Sequence, residues 1–114
     1  MKRSRKTDFT QLERERIKER DGGCIFCRMR YHTEECKDTY LLQPVHIMHY
    51  IPRSGGGLGI AKNAAWGCIF HHTMLDNGNR GRREEMLKLF KEYLQRHYRD
   101  WNEEDLIYNK NDWR

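Results

Sequence analysis

The sequence predicts a small α+β domain held together by a bound metal. A stretch rich in β-branched and aromatic residues, 40–51, lies among segments of helical periodicity. Two short cysteine-bearing knuckles, one near the amino end and one in the middle, have metal-ligand spacing. The chain's 114 residues, 37% hydrophobic and 34% charged, supply only a thin core, and a structural metal is a standard remedy for that.

In chain order, residues 1–7 (MKRSRKT) read as a disordered basic arm and residues 8–114 as one domain. Thr10 and Glu13 have capping-box spacing, and Phe9, Leu12 and Ile17 form a narrow apolar stripe. Together they predict a short helix over about 9–20, stopped by Asp21-Gly22-Gly23. A knuckle follows, then a charged loop to about Thr39. Residues 40–51 read as a strand, with Pro44 demoting its start to an edge or a break. Pro52 and Ser54-Gly55-Gly56-Gly57 make a flexible turn, and a second extended piece reaches Trp66. A helix over 69–76 ends at Asn77-Gly78. Residues 83–98 carry Met86, Leu87, Phe90, Tyr93 and Leu94 at 3.6-residue spacing, a core-facing helix. Asn102 reads as an amino cap, with Trp101 placed to staple against Leu106.

The net charge is +5, and its location is informative. Residues 1–30 hold ten Lys/Arg against five acids, whereas the remainder is balanced at twelve of each. A polyanion partner, most simply nucleic acid, accounts for a basic amino end. The apolar runs are too short for a membrane span, and no apolar segment follows MKRSRK, so the expected location is the cytoplasm. In that reducing compartment the four cysteines read as metal ligands rather than disulfides.

Cys24-Ile25-Phe26-Cys27 and Cys68-Ile69-Phe70-His71 are paired knuckles of the form C-x-x-C and C-x-x-H. A two-residue gap lets one turn present two ligands to one ion, so Cys24, Cys27, Cys68 and His71 are expected to hold a structural Zn²⁺. Cys36 competes for the fourth position but ranks below His71, which repeats the knuckle spacing.

Residues 22–78 together resemble the HNH endonucleases. His49-Tyr50-Ile51-Pro52-Arg53-Ser54 and the glycines after it are similar to the family's histidine, hydrophobic, Pro-Arg-Ser, Gly-Gly run. Asn63 falls where the middle asparagine is expected. Cys68-x-x-His71-His72 is similar to the family's C-x-x-C-H, with histidine at the second zinc cysteine. The resemblance implies a ββα-metal core over about 22–78, with a helical region over 79–114. It makes His49 the general base, a role suited to an imidazole of near-neutral pKa. Asn63 would brace the loop that orients His49 or touch the metal. His72 and Asp76, four residues apart, would share a helix face and chelate the catalytic ion. The family usually has histidine at the position of Asp76; a carboxylate there favours Mg²⁺ or Mn²⁺. Candidate DNA contacts are Arg53, Arg3, Arg5 and Lys6.

One departure stands out. The family's metal-binding Asp or His just before the general base is here Met48, and a thioether is a poor ligand for Mg²⁺. His46 could substitute, but strand alternation puts it on the opposite face from His49. The expected activity is metal-dependent hydrolysis of double-stranded DNA, as in stand-alone phage and bacterial HNH proteins. The alternatives are a non-catalytic zinc-containing nucleic-acid-binding module and a protein-interaction domain that docks a partner through helix 83–98.

Overall fold

The computed structural model describes residues 6–33 and 46–108. Arg3, Arg5, Cys36 and the first half of the predicted 40–51 strand lie outside them. The regular elements are α1 (Gln11–Asp21), the single-turn α2 (Ile25–Arg28), β1 (His46–His49), β2 (Ala64–Gly67), α3 (Ile69–Asp76) and α4 (Arg83–His97). The architecture is α+β.

Helix α1 starts at Thr10, whose hydroxyl accepts from the Glu13 N–H at 3.1 Å. The Glu13 carboxylate does not complete a capping box. It accepts instead from the Ala61 N–H at 2.7 Å, tying the helix to the loop before β2. Gly22, at φ +66°, takes the left-handed conformation that ends the helix. Ile17 is buried, whereas Leu12 of the predicted stripe is exposed. Lys6 and Thr7, assigned to the arm by the sequence, belong to the folded body instead. Thr7 is buried, and the Lys6 carbonyl accepts from the Gly59 N–H at 2.9 Å.

Strands β1 and β2 pair antiparallel in regular register, with His46 opposite Gly67 and His49 opposite Ala64. Alternation then sorts the side chains. Met48 and Ala65 join the larger core, formed with the first knuckle, Leu75 of α3 and the Met86, Phe90 and Leu94 stripe of α4. Ile47, Ala64 and Trp66 form a smaller cluster with Ile17 of α1 and Phe9. The sheet is thus covered on both faces, and α3 follows β2 directly as a β–β–α unit. Gly67 permits the packing, because a Cβ there would lie 2.4 Å from the Met48 sulfur.

The glycine run is not a loose connection. A Cβ on Gly57 would sit 1.7 Å from the Ile51 carbonyl oxygen, so only glycine fits that close backbone approach. Gly57 also forms a β-bridge with Ile107, drawing the carboxyl-terminal segment onto the loop after β1. The Asn102 cap is formed, but over a single 3₁₀ turn, Glu103–Leu106.

A buried ion pair joins α1 to the sheet. Asp21 is fully buried and accepts from Arg20 Nε at 2.5 Å, from the Trp66 N–H at 2.8 Å and from the Tyr93 hydroxyl. Arg20 also donates to the carbonyls of Ala61 (2.8 Å) and Ala64 (2.6 Å). Removing one member of such a pair leaves an uncompensated buried charge, which costs about 3–5 kcal/mol. Asp21→Ala is therefore expected to lower the melting temperature by more than about 10 °C. Thermal denaturation followed by circular dichroism checks this, and a shift of only a degree or two would contradict it.

Candidate metal centre and catalytic cleft

Both knuckles fold the same way. Cys24 occupies the N-cap of α2, and its sulfur accepts from the Cys27 N–H at 3.4 Å. Cys68 caps α3, and its sulfur accepts from the His71 N–H at 3.5 Å. An extended N-cap residue followed by one helical turn sets positions i and i+3 side by side, so the C-x-x-[C/H] spacing works as two ligands. The four ligand atoms of Cys24, Cys27, Cys68 and His71 lie within 4.8 Å of one another, all buried.

The spacings suit a tetrahedral ion. His71 Nδ1 lies 3.5, 3.5 and 3.3 Å from the sulfurs of Cys24, Cys27 and Cys68, and the Cys27 and Cys68 sulfurs are 3.7 Å apart. Zinc–ligand bonds of about 2.3 Å to sulfur and 2.0–2.1 Å to nitrogen give tetrahedral edges of about 3.6–3.8 Å. His71 Nε2 donates to the Tyr31 carbonyl at 2.5 Å, which fixes the tautomer and leaves Nδ1 bare toward the sulfurs. A hydrogen bond from the Cys68 thiol pulls the Cys24 thiol down, while the same contact pushes Cys68 up. The buried Cys3His group could hold a metal such as zinc.

A separate cleft of about 230 Å³ has a mixed lining that includes Met48, His49, Arg53, His72, Asp76 and Arg83. His49, the last residue of β1, packs its ring 4.6 Å from that of Phe9. Its Nε2 lies 3.1 Å from the Thr7 carbonyl oxygen. A carbonyl only accepts, so Nε2 carries the proton and Nδ1 is left as the basic nitrogen. Burial holds His49 below the ordinary imidazole value of about 6.5, and the positive charges of Arg53 and His72 act in the same direction.

Asn63 is fully buried and clamps the loop that follows His49. Its Oδ1 accepts from the Ile51 N–H at 2.8 Å, and its Nδ2 donates to the carbonyls of Ile51 (3.1 Å) and Leu58 (2.9 Å). Its own carbonyl accepts from the Tyr50 N–H at 2.8 Å. The side chain satisfies three loop groups and never enters the cleft, so it acts on His49 through the backbone.

On α3, His72 Nε2 and Asp76 Oδ2 are 3.4 Å apart. Burial, and secondarily His46, lower the pKa of His72, against the opposing pull of Asp76. Met48 is fully buried in the core beneath α3. His46 stands next to the cleft, with Nδ1 3.2 Å from His72 Nδ1. Strand alternation separates His46 from His49, but α3 covers the face that His46 shares with Met48 and brings His72 to it. The signal that would have found His46 is its pairing with the helix after β2, not its phase against His49.

Arg53 is half-exposed and ion-paired to Asp8 at 2.5 Å. Lys6 is exposed and lies just before Thr7. Arg83, whose Nε donates to the Leu75 carbonyl at 3.1 Å, also lines the cleft. Among the described residues no helix is long and apolar enough to cross a membrane. No family model, curated protein or solved structure significantly matches the chain, so a functional reading stands on the geometry of these two sites and the sequence pattern that builds them.

Proposed function

We propose that the protein is a metal-dependent endonuclease of the HNH type, cutting double-stranded DNA, with zinc in the knuckle site. The observation that carries this reading is the convergence of His49, His72 and Asp76 on one cleft, behind a loop clamped by Asn63. In this reading His49 Nδ1 takes the proton from the attacking water, while the Thr7 carbonyl holds the ring through Nε2. Arg53 and Arg83 stand where they can meet phosphate oxygens. His72, with Asp76 beside it, would hold a divalent cation, which would offset the charge that develops on the phosphate and the leaving oxygen. The basic amino-terminal segment, with Lys6, Arg3 and Arg5, would add non-specific attraction to DNA.

A second reading, a zinc module that binds nucleic acid without cutting it, draws support from Met48. The residue that precedes His49 lines the cleft with no exposed surface, and its thioether is a poor ligand for a hard cation.

Incubation with supercoiled plasmid separates the two. Nicking or linearisation is expected with an added divalent cation, from a panel of Mg²⁺, Mn²⁺, Ni²⁺ and Zn²⁺, and not with EDTA. Salt-dependent DNA binding without cleavage under any divalent ion would favour the second reading. The pH profile adds a check. The reactive form of His49 is neutral, so the rate should rise with pH as the imidazole deprotonates. Because its pKa is depressed, that rise should lie below about 6.5, with a plateau above it. A rate that still climbs steeply above pH 7 would place another group in the role of base.

A further inference from the structure

His46 has no part in the proposed function, yet its ring contacts the cleft's helical histidine. The two Nδ1 atoms are 3.2 Å apart, and the rings stand at 87° to one another. That separation matches the edge of a coordination polyhedron. Two nitrogens bound at 2.0–2.1 Å to one ion are about 2.9–3.4 Å apart for octahedral to tetrahedral angles. The opposite nitrogen of His72, Nε2, faces the Asp76 carboxylate at 3.4 Å. A histidine that binds a metal through one nitrogen commonly gives its other N–H to a carboxylate, which orients the ring and raises its basicity.

We infer that the cleft ion is held by His46 and His72 through their Nδ1 atoms, with Asp76 orienting His72 from Nε2 rather than binding the ion. This replaces the His72–Asp76 ligand pair expected from the sequence and rests on the nuclease reading only for the use made of the ion. His46, two residues before the sealed Met48 and on the same strand face, supplies the strand ligand that Met48 cannot. Water and phosphate fill the remaining positions. The change has a chemical consequence. Two imidazoles form a softer donor set than an imidazole and a carboxylate, so the site prefers Zn²⁺, Ni²⁺ or Fe²⁺ over Mg²⁺.

The test uses the full chain with its knuckle site already zinc-loaded, titrated with a second equivalent of Zn²⁺. Long-range ¹H–¹⁵N spectra of the histidine rings report which nitrogens take the ion. Nδ1 of His46 and of His72 should shift together, while Nε2 of His72 remains protonated. Calorimetry should show affinity for the second Zn²⁺ reduced at least tenfold in His46→Gln and in His72→Gln, with the first zinc and the melting curve retained. Asp76→Asn should keep the His46 and His72 shifts while weakening affinity by about 10–100-fold. A 1,000-fold excess of Mg²⁺ should fail to displace the ion. Binding through Nε2 of His72 with His46 unperturbed, or wild-type affinity in His46→Gln, would overturn the inference. These measurements do not involve DNA. Plasmid cleavage with an unperturbed His46 would leave the nuclease reading standing and the inference refuted. Coordination by both histidines without cleavage would do the reverse.

Discussion

Stripping the metal from the knuckle site is expected to unfold the protein. Purified chain should carry one tightly held zinc, measurable by elemental mass spectrometry. Cys68→Ser or prolonged chelation should abolish the cooperative melting transition. The four ligands come from α2 and from the start of α3, so the ion joins the amino-terminal half to the β–β–α unit. Structural zinc contributes on the order of 10 kcal/mol, while whole domains are stable by only about 5–15 kcal/mol. The core around the site consists of the ligands themselves together with Phe26, Phe90 and a few aliphatic residues, and it has little to spare. Zinc-free protein with an unchanged melting curve would contradict this. The neighbouring histidines make the expectation sharper. His71 is buried with its Nδ1 among the sulfurs, whereas His72 is partly exposed and faces Asp76 and His46. His71→Ala should lose the zinc and the fold. His72→Ala should remain folded and zinc-loaded while losing the cleft ion.

The paired knuckles were the most legible part of the chain because their signal is local. Spacing alone fixes two ligands on one turn, and the N-cap geometry of Cys24 and Cys68 follows from it. Helices α1, α3 and α4 were legible for a similar reason. Thr10, Gly22 and Asn77 mark their ends, and Met86, Phe90 and Leu94 repeat at the helical period. What the sequence concealed depends on tertiary contact. Nothing local says that Asp21 is buried beneath Tyr93, 72 residues along the chain. Nothing local says that the Thr7 carbonyl reaches His49 either. The glycine run reads as a flexible turn because glycine's two uses, freedom and close approach, look identical in sequence; at Gly57 the second applies. His46 was discounted by a sound rule applied to the wrong pair. Phase along one strand compares residues on that strand and is silent about which face the next helix will cover.

His49→Ala is expected to abolish cleavage while leaving fold, zinc content and DNA binding intact. The ring closes the end of β1 and contacts Phe9 and the Thr7 carbonyl, but its loss touches neither the knuckle ligands nor the buried Asp21 network. The structural cost should therefore be limited to the contacts with Phe9 and the Thr7 carbonyl, which thermal denaturation will register as a small shift. The chemical cost is larger, because with Nε2 committed to a carbonyl, Nδ1 of this residue is the nitrogen left to take a proton. A general base typically contributes about 10²–10⁴-fold, so single-turnover cleavage at saturating DNA should fall by that factor. The affinity for plasmid measured in EDTA should stay within about twofold, since the cleft cations Arg53 and Arg83 remain. Asn63→Ala makes a useful companion. It leaves the imidazole in place but frees the Ile51 and Leu58 groups that hold the loop, so it should slow cleavage and also lower the melting temperature. Only the first variant should separate chemistry from stability. If His49→Ala instead cleaves at close to the wild-type rate, the base lies elsewhere, and the convergence of His49, His72 and Asp76 loses its catalytic meaning.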